Sequence, residues 1–247
     1  MNARRLGFSL FTLAMVAVLA GLGFWQLQRR AEKLALIAVL DERVAAAPAD
    51  LPRESEWARL TPARDEFRRV TFTATYAPLP DAMIYGSGSA LRADIVGPGA
   101  WAFLPARLAS GAIVAVNAGF VQNTMQDRAQ QDRAASRLLT GEPVKLTGYI
   151  RFPENPGSLT PSPDIAKRLW FVRDVPAMAG SLGWGSDRVA PFYVDLEAPV
   201  PASGVPKPGP LQVHLKNDHM QYAITWFGLA AVMAIAFGFW LRTQRRG

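Results

Sequence analysis

The chain has 247 residues and a net charge of +7, from 27 basic and 20 acidic side chains. It has no cysteine and only two histidines, His214 and His219. This composition excludes disulfides, thiolate metal sites and a cysteine nucleophile, and it argues against a zinc site built from several histidines. The basic residues are scattered rather than clustered on one segment, so nucleic-acid binding is not predicted.

The first predicted element is a membrane-spanning helix over residues 6–27, which contain no charged side chain. At 1.5 Å per residue, a helix of this length crosses a hydrocarbon core of roughly 30 Å. The competing interpretation is a cleaved signal peptide, with Val18-Leu19-Ala20 as the cleavage site. The apolar run is longer than the 7–15 residues of a usual signal core, which favours the spanning helix.

The middle of the chain predicts an α+β domain with an antiparallel sheet or small barrel and a few helices. The first helix is expected to continue over residues 29–40, and residues 45–52 form a linker rich in alanine and proline. β-Branched and alternating patterns predict strands, and Ser110-Gly111 predicts a hairpin turn between two of them. The predicted strands are residues 68–76, 101–108, 112–121, 144–152 and 192–196. Helices are predicted at residues 125–139 and 174–180, and proline-rich loops at 153–163 and 199–210.

The last predicted element is a second spanning helix over residues 222–241, again uncharged and stopped by arginines from Arg242 onward. Two spans divide the chain into an N-terminal tail and first span at 1–27, an extracytoplasmic domain at 28–216, and a second span with its tail at 217–247. Basic residues flank both sides of both spans. Charge therefore favours cytoplasmic tails only weakly.

Enzyme motifs are missing from the sequence. There is no phosphate-binding loop, no H-E-x-x-H and no G-x-S-x-G. Gly86-Ser87-Gly88 and Gly97-Pro98-Gly99 are interpreted as turns, because no helix pattern follows them. These motifs therefore give no indication of an enzyme, and an active site assembled from distant residues stays open as an alternative.

The candidate site lies where the two spans meet one membrane surface. His219, Tyr222 and Trp226 fall on one stripe of the second helix. Trp25 and Gln26 end the first span, at the same depth if the helices are antiparallel. An imidazole beside flat aromatic groups suits haem, whose iron takes neutral histidine as an axial ligand. The alternative is that these are ordinary interfacial aromatics and that His219 caps a helix.

Two end segments resemble the Surfeit locus protein 1 family. GFWQLQRR at residues 23–30 resembles the end of that family's first span, and NDHMQYAITWFG at 217–228 resembles the start of its second. Between them, VNAGFV at 116–121, PENPG at 153–157 and LWFVRDVPAMA at 169–179 are similar to family segments in the same order. The sequence departs from the family pattern at Ala118, Gln122 and Asp218.

This resemblance implies an assembly factor for haem-copper cytochrome c oxidase, which acts as a chaperone and not as an enzyme. It implies that the protein binds haem a and helps to insert it into the catalytic subunit, with His219 as the ligand of the haem iron. Trp25, Gln26, Tyr222 and Trp226 would complete the binding site. The expected partners are the oxidase catalytic subunit, membrane lipid and, as a further candidate, haem a synthase.

The resemblance also places the large domain outside the cytoplasm. Only five residues precede the first span, which leaves no room for a mitochondrial transit peptide. We therefore expect a bacterial inner membrane with a periplasmic domain, and a mitochondrial inner membrane is the alternative. The alternative function is a membrane-anchored scaffold that stabilises the nascent oxidase subunit without carrying haem.

Overall fold

A computed structural model describes residues 3–89, 91–122, 128–185, 188–212 and 217–246. The chain divides into two compact units. The helix unit is made of Met1–Val39 and Leu215–Gly247, and the barrel unit is Leu40–His214.

Two long helices make up the described part of the helix unit. Helix α1 runs unbroken over Ala3–Ala45, and helix α5 over His219–Arg246. Both are long and apolar enough to cross a membrane, and little of their apolar surface is buried inside the structure. A helix suits the hydrocarbon core of a membrane because its backbone groups form their hydrogen bonds within the helix. The continuation of the first helix over residues 29–40 is confirmed.

The two helices pack antiparallel. Near one end the rings of Phe8 and Trp240 lie 4.8 Å apart, and near the other those of Phe24 and Phe227 lie 5.2 Å apart in an edge-to-face arrangement. A Cβ atom at Gly23 would lie 2.6 Å from the Phe227 ring, so glycine is needed for this close approach. Buried residues recur every three, four or seven positions on the facing surfaces, as expected for helices that cross at a small angle. These residues are Thr12, Leu19, Gly23, Gln26, Ala223 and Ala230.

The barrel unit contains eight strands and several short helices in its described residues. The strands are β1 Ala49–Asp50, β2 Arg69–Tyr76, β3 Ala82–Ser87, β4 Pro98–Arg107, β5 Ile113–Gln122, β6 Val144–Arg151, β7 Leu169–Trp170 and β8 Val189–Ala198. The helices are a 3-10 helix at Glu54–Arg59, α2 Pro62–Asp65, α3 Arg128–Ser136 and α4 Val175–Leu182. The α+β class predicted from the sequence is confirmed.

Five of the strands close into a barrel. The strand order is β1-β2-β6-β8-β5-β4-β3-β7, and β2 also pairs with β4 through Thr75 with Arg107 and Tyr76 with Ala106. Only β5 and β8 run parallel within the ring β2-β6-β8-β5-β4. Helix α3 lies in the connection between the third and fourth barrel strands in chain order. A five-stranded Greek-key barrel of this kind is the architecture of the OB-fold.

Strands β4 and β5 are buried on both faces. Nearly every residue of the two strands is inaccessible, because one face points into the barrel and the other is covered by the α4 region. The barrel side includes Val70 and Phe192, whose ring meets Trp57 edge to face at 5.5 Å. This two-sided burial explains the continuous apolar run of β5. A strand buried on one face only would alternate apolar and polar residues.

An ionic network crosses the barrel wall. The Nε of Arg151 donates to Glu66 Oε1 at 2.6 Å, and its Nη1 donates to Asp195 Oδ2 at 2.8 Å. Asn117 donates its side-chain amide to the other oxygen of Asp195 at 2.6 Å. The guanidinium of Arg151 also lies 4.5 Å from the ring centroid of Phe67. Charged hydrogen bonds of this kind fix the positions of β5, β6 and β8.

The sequence interpretation of two glycine-containing turns is wrong in part. Gly86 and Ser87 belong to strand β3, and only Gly88, with a φ of 70°, makes the turn. Similarly, Pro98 and Gly99 begin β4. Gly86 has a packing role rather than a turning role, because a Cβ there would lie 3.2 Å from the Trp101 indole nitrogen.

The other predicted elements are confirmed with small shifts. All five predicted strands are present as β2, β4, β5, β6 and β8. Helix α4 has the predicted cap, in which Asp174 Oδ1 accepts from the backbone N–H of Ala177 at 3.0 Å. Helix α3 confirms residues 128–136 of the predicted helix, whose first residues, 125–127, lie outside the described residues.

We expect Gly119→Ala to destabilise the barrel unit. Gly119 has a φ of 128°, and a Cβ there would overlap the backbone at Lys207 and Pro208. Left-handed strain costs about 1–3 kcal/mol before the overlap is counted. Urea unfolding of the detergent-solubilised protein measures this loss. Gly180→Ala is the matched control, because a Cβ at Gly180 meets nothing within 4 Å. Equal stability of the two variants would contradict the expectation.

Candidate functional site

His219 and Gln26 form a direct hydrogen bond between the two long helices. His219 is the first residue of α5, and its Nδ1 lies 2.7 Å from the Oε1 of Gln26 on α1. Gln26 is 9% exposed, so its side-chain amide is buried and has His219 as a hydrogen-bond partner. The helices therefore meet through a polar contact at this end and through aromatic packing elsewhere.

This contact relates the two ring nitrogens of His219 to different partners. An amide oxygen only accepts hydrogen bonds, so with Gln26 Oε1 as the acceptor the donor is Nδ1–H. In that tautomer of the imidazole, Nε2 carries the lone pair that a metal would bind. A ligating histidine commonly has such a partner on its other nitrogen, which orients the ring and raises its basicity. The Gln26–His219 pair thus has the arrangement that a metal-ligating histidine needs.

The aromatic candidates lie around this pair. Phe227 packs over Gly23 and against Phe24, which marks one edge of the helix pair. Each residue turns a helix by about 100°, so Trp25 and Tyr222 fall on the opposite edge. Their side chains are 51% and 54% exposed. Both are therefore exposed on the edge of the helix pair beside His219.

Trp226 occupies a different position. It follows His219 by seven residues, so it lies two turns further along the α5 face that packs against α1, and it is half-buried. Among the described residues, no aromatic ring contact links Trp25, Tyr222 or Trp226 to one another. The structure therefore brings His219 and Gln26 together and leaves Trp25, Tyr222 and Trp226 without ring contacts among themselves.

Basic side chains continue along α1 beyond Gln26. Arg29 is exposed and forms an ion pair with Glu32 at 2.8 Å, and Arg30 is exposed beside it. Lys33 is half-buried one turn further. Lys216 and His214 lie outside the described residues.

The donor set fits haem better than a bare metal ion. The described residues contain no group of three or more His, Cys, Asp or Glu side chains that could hold an ion. A porphyrin brings four nitrogen ligands of its own, so its iron needs only an axial ligand from the protein. One histidine could supply that ligand through Nε2, and Trp25 and Tyr222 beside it are exposed.

Sequence reasoning missed a second polar site, in the barrel unit. A cavity of about 270 Å³ lies between β3 and the segment after β7, with Arg151 and Arg173 in its walls. Near it, the Tyr193 hydroxyl is buried without a hydrogen-bond partner, and burial raises its pKa above the usual value. These residues come from segments far apart in the chain, so no local pattern predicts the cavity.

Comparison with known proteins gives a consistent result. The sequence model of the SURF1 family matches residues 13–231. Surfeit locus protein 1 of Rattus norvegicus is 33% identical over 232 residues, covering 90% of this chain and 71% of the rat protein. Surfeit locus protein 1 of Homo sapiens is 30% identical over 253 residues, covering 97% and 79%. A SURF1-like protein of Rickettsia bellii is 25% identical over 238 residues, covering 95% and 90%.

Proposed function

Because the chain belongs to the SURF1 family, we propose that it is an assembly factor for haem-copper cytochrome c oxidase. In this proposal it binds haem a where the two helices meet and aids its insertion into the catalytic subunit. The observation that carries the proposal is the 2.7 Å contact between His219 Nδ1 and Gln26 Oε1, which leaves Nε2 free for iron.

The cargo would use four kinds of protein group. Iron would bind His219 Nε2, and the porphyrin would lie against Trp25 and Tyr222 on the open edge, with Trp226 deeper along α5. The apolar tail of haem a would lie among the apolar side chains of the helices. The propionates would pair with Arg29, Arg30 or Lys33, by charge-assisted hydrogen bonds. Arg29 would then exchange its exposed partner Glu32 for a propionate.

A single protein ligand suits a carrier. It holds the iron in place, but a site offering two histidines can displace it. No covalent bond is made or broken in the porphyrin, so the protein acts as a chaperone rather than an enzyme.

We place the protein in a bacterial inner membrane, with the barrel unit in the periplasm. Two apolar helices at the ends of the chain and the similarity to a SURF1-like protein of Rickettsia bellii support this location. The mitochondrial inner membrane is the alternative location. The proposed partners are the oxidase catalytic subunit and, upstream of it, haem a synthase, which supplies the cargo.

The test is the absorption spectrum of the protein purified in detergent from cells that make haem a. We expect a haem a spectrum in the wild type and none in His219→Ala, because the iron loses its ligand. Met220→Ala is the matched control, since Met220 is an exposed neighbour on the same helix turn. A colourless wild type from cells with ample haem a would refute the carrier and favour the scaffold. Under the scaffold, His219→Ala would also leave oxidase assembly nearly normal.

A further inference from the structure

The cavity in the barrel unit opens where two parallel strands separate. Strand β7 pairs with β3 through Met83 and Ile84, and then leaves it at Phe171. The gap has a volume of about 270 Å³ and is lined by Tyr85, Trp101 and Phe171, among others. This volume lies just below the roughly 300–1,000 Å³ of typical ligand clefts, so it suits a short segment rather than a large cofactor.

One wall of this cleft is an unpaired strand edge. The backbone N–H of Met83 donates to Arg168 at 2.9 Å, on the side away from β4. Backbone groups of a strand alternate in direction, so those of Tyr85 and Ser87 point to the same side. The bridge between Ile84 and Trp170 uses the Tyr85 N–H, so the Tyr85 C=O and the backbone groups of Ser87 are those that lie beyond the paired part of β3. No strand among the described residues pairs with that side beyond Ile84. Tyr85 and Ser87 are also exposed.

The other wall carries an arginine with unused hydrogen-bonding capacity. Arg173 donates from Nη1 to Glu154 Oε1 at 2.8 Å, and its guanidinium lies 5.8 Å from the Trp101 ring centroid. Its Nε is buried with no hydrogen-bond partner. Glu154 is 42% exposed at its side chain, so another carboxylate can replace it. Arg151 forms the floor, where Glu66 and Asp195 hold it rigidly.

The position of the cleft in the barrel agrees with a binding role. The cleft lies on β4, the second barrel strand in chain order. On one side it is bounded by the connection from β2 to β4, and on the other by the connection from β6 to β8. The same strand and the equivalent pair of loops form the ligand-binding face of OB-fold barrels. This is a likeness of fold alone, and the residues of the cleft must supply the chemistry.

We propose that the cleft binds an extended acidic segment of a partner protein. The segment adds to the open edge of β3 as a further strand, using the C=O of Tyr85 and the backbone groups of Ser87. One of its carboxylates replaces Glu154 on Arg173, and its neighbouring side chain packs on Tyr85 and Phe171. An acidic peptide fits both walls, since it offers backbone hydrogen bonds to the edge and negative charge to the arginine. The proposal does not depend on haem binding.

The test measures binding of a labelled pentapeptide, with blocked ends and one glutamate among valines and threonines, to the full chain in detergent. We expect binding by fluorescence anisotropy, and about tenfold or more weaker binding when glutamine replaces the glutamate or in Arg173→Gln. Ser87→Pro should also weaken it, because proline removes a backbone donor from the open edge and not from the β4 side.

Arg137→Gln is the matched control, since Arg137 is exposed and outside the cleft, and it should bind the peptide as the wild type does. Absence of binding by the glutamate peptide at millimolar concentration would overturn the proposal. So would equal binding of the glutamine peptide. The cleft would be a site for small anions, and not for a strand, if two results were found together. Glutarate would displace the peptide at the same concentration, and Ser87→Pro would bind the peptide as the wild type does.

Discussion

Arg151→Met is expected to lower the free energy of unfolding of the barrel unit by about 3–5 kcal/mol. Arg151 is largely buried and binds Glu66 at 2.6 Å and Asp195 at 2.8 Å. Burial alone would lower its pKa, but Tyr193, Asp195 and Glu66 raise it above the usual value, so the guanidinium stays charged. Methionine has a similar length and leaves the buried Asp195 and the partly buried Glu66 without this counter-charge. Urea unfolding followed by tryptophan fluorescence measures the loss.

Two variants distinguish the loss of stability caused by the unpaired carboxylates from a general effect of removing an arginine. Arg107→Met removes an exposed arginine at the end of β4 and should change stability little. The triple variant Arg151→Met, Glu66→Gln, Asp195→Asn removes all three charges and should recover part of the loss, since an uncharged buried group costs less. If Arg151→Met lowers the free energy of unfolding by less than about 1 kcal/mol, the ionic network does not stabilise the barrel unit as expected.

The second large effect concerns Gln26, which contacts the proposed iron ligand His219. Gln26→Leu is expected to weaken haem binding about 10–100-fold while His219 stays in place. Leucine keeps much of the packing volume between the helices but accepts no hydrogen bond from Nδ1. The imidazole then loses its fixed tautomer and orientation. Titration of the apoprotein with haem, followed by absorbance, gives the two dissociation constants.

Gln26→Glu and Gln28→Leu complete this comparison. A carboxylate at position 26 still accepts from Nδ1, so Gln26→Glu should retain most of the affinity. Gln28 is exposed two residues further along α1, and Gln28→Leu should bind haem as the wild type does. Unchanged affinity in Gln26→Leu would mean that the ring is oriented without the amide, and the 2.7 Å contact would then have only a structural role.

Sequence reasoning predicted those parts of the fold that leave a local pattern. Long uncharged apolar runs predicted α1 and α5, and alternating β-branched residues predicted β2 and β6. The antiparallel arrangement of two successive spans predicted that Gln26 lies at about the same depth as His219. Pairs of this kind are predictable because the depth of a residue in a spanning helix follows directly from its position in the chain.

The remaining parts depend on contacts between distant segments. Closure of the barrel requires Tyr76 to pair with Ala106, and the ionic network joins Arg151 to Glu66 across 85 residues. Neither pairing leaves a local signal. Strand β3 was missed because Gly86 normally breaks a strand, whereas here its missing side chain makes room for Trp101. The orientation of Tyr222, open at the edge rather than against α1, likewise depends on how the two helices face each other.

The contact between Gln26 and His219 joins residues 193 positions apart in the chain. A ribosome releases Gln26 early and His219 only after the whole barrel unit has been made. Under the proposal that His219 binds haem iron, the nascent chain would lack its iron ligand until the barrel unit has been translated. Haem capture would then follow synthesis of the barrel residues proposed to bind a partner protein.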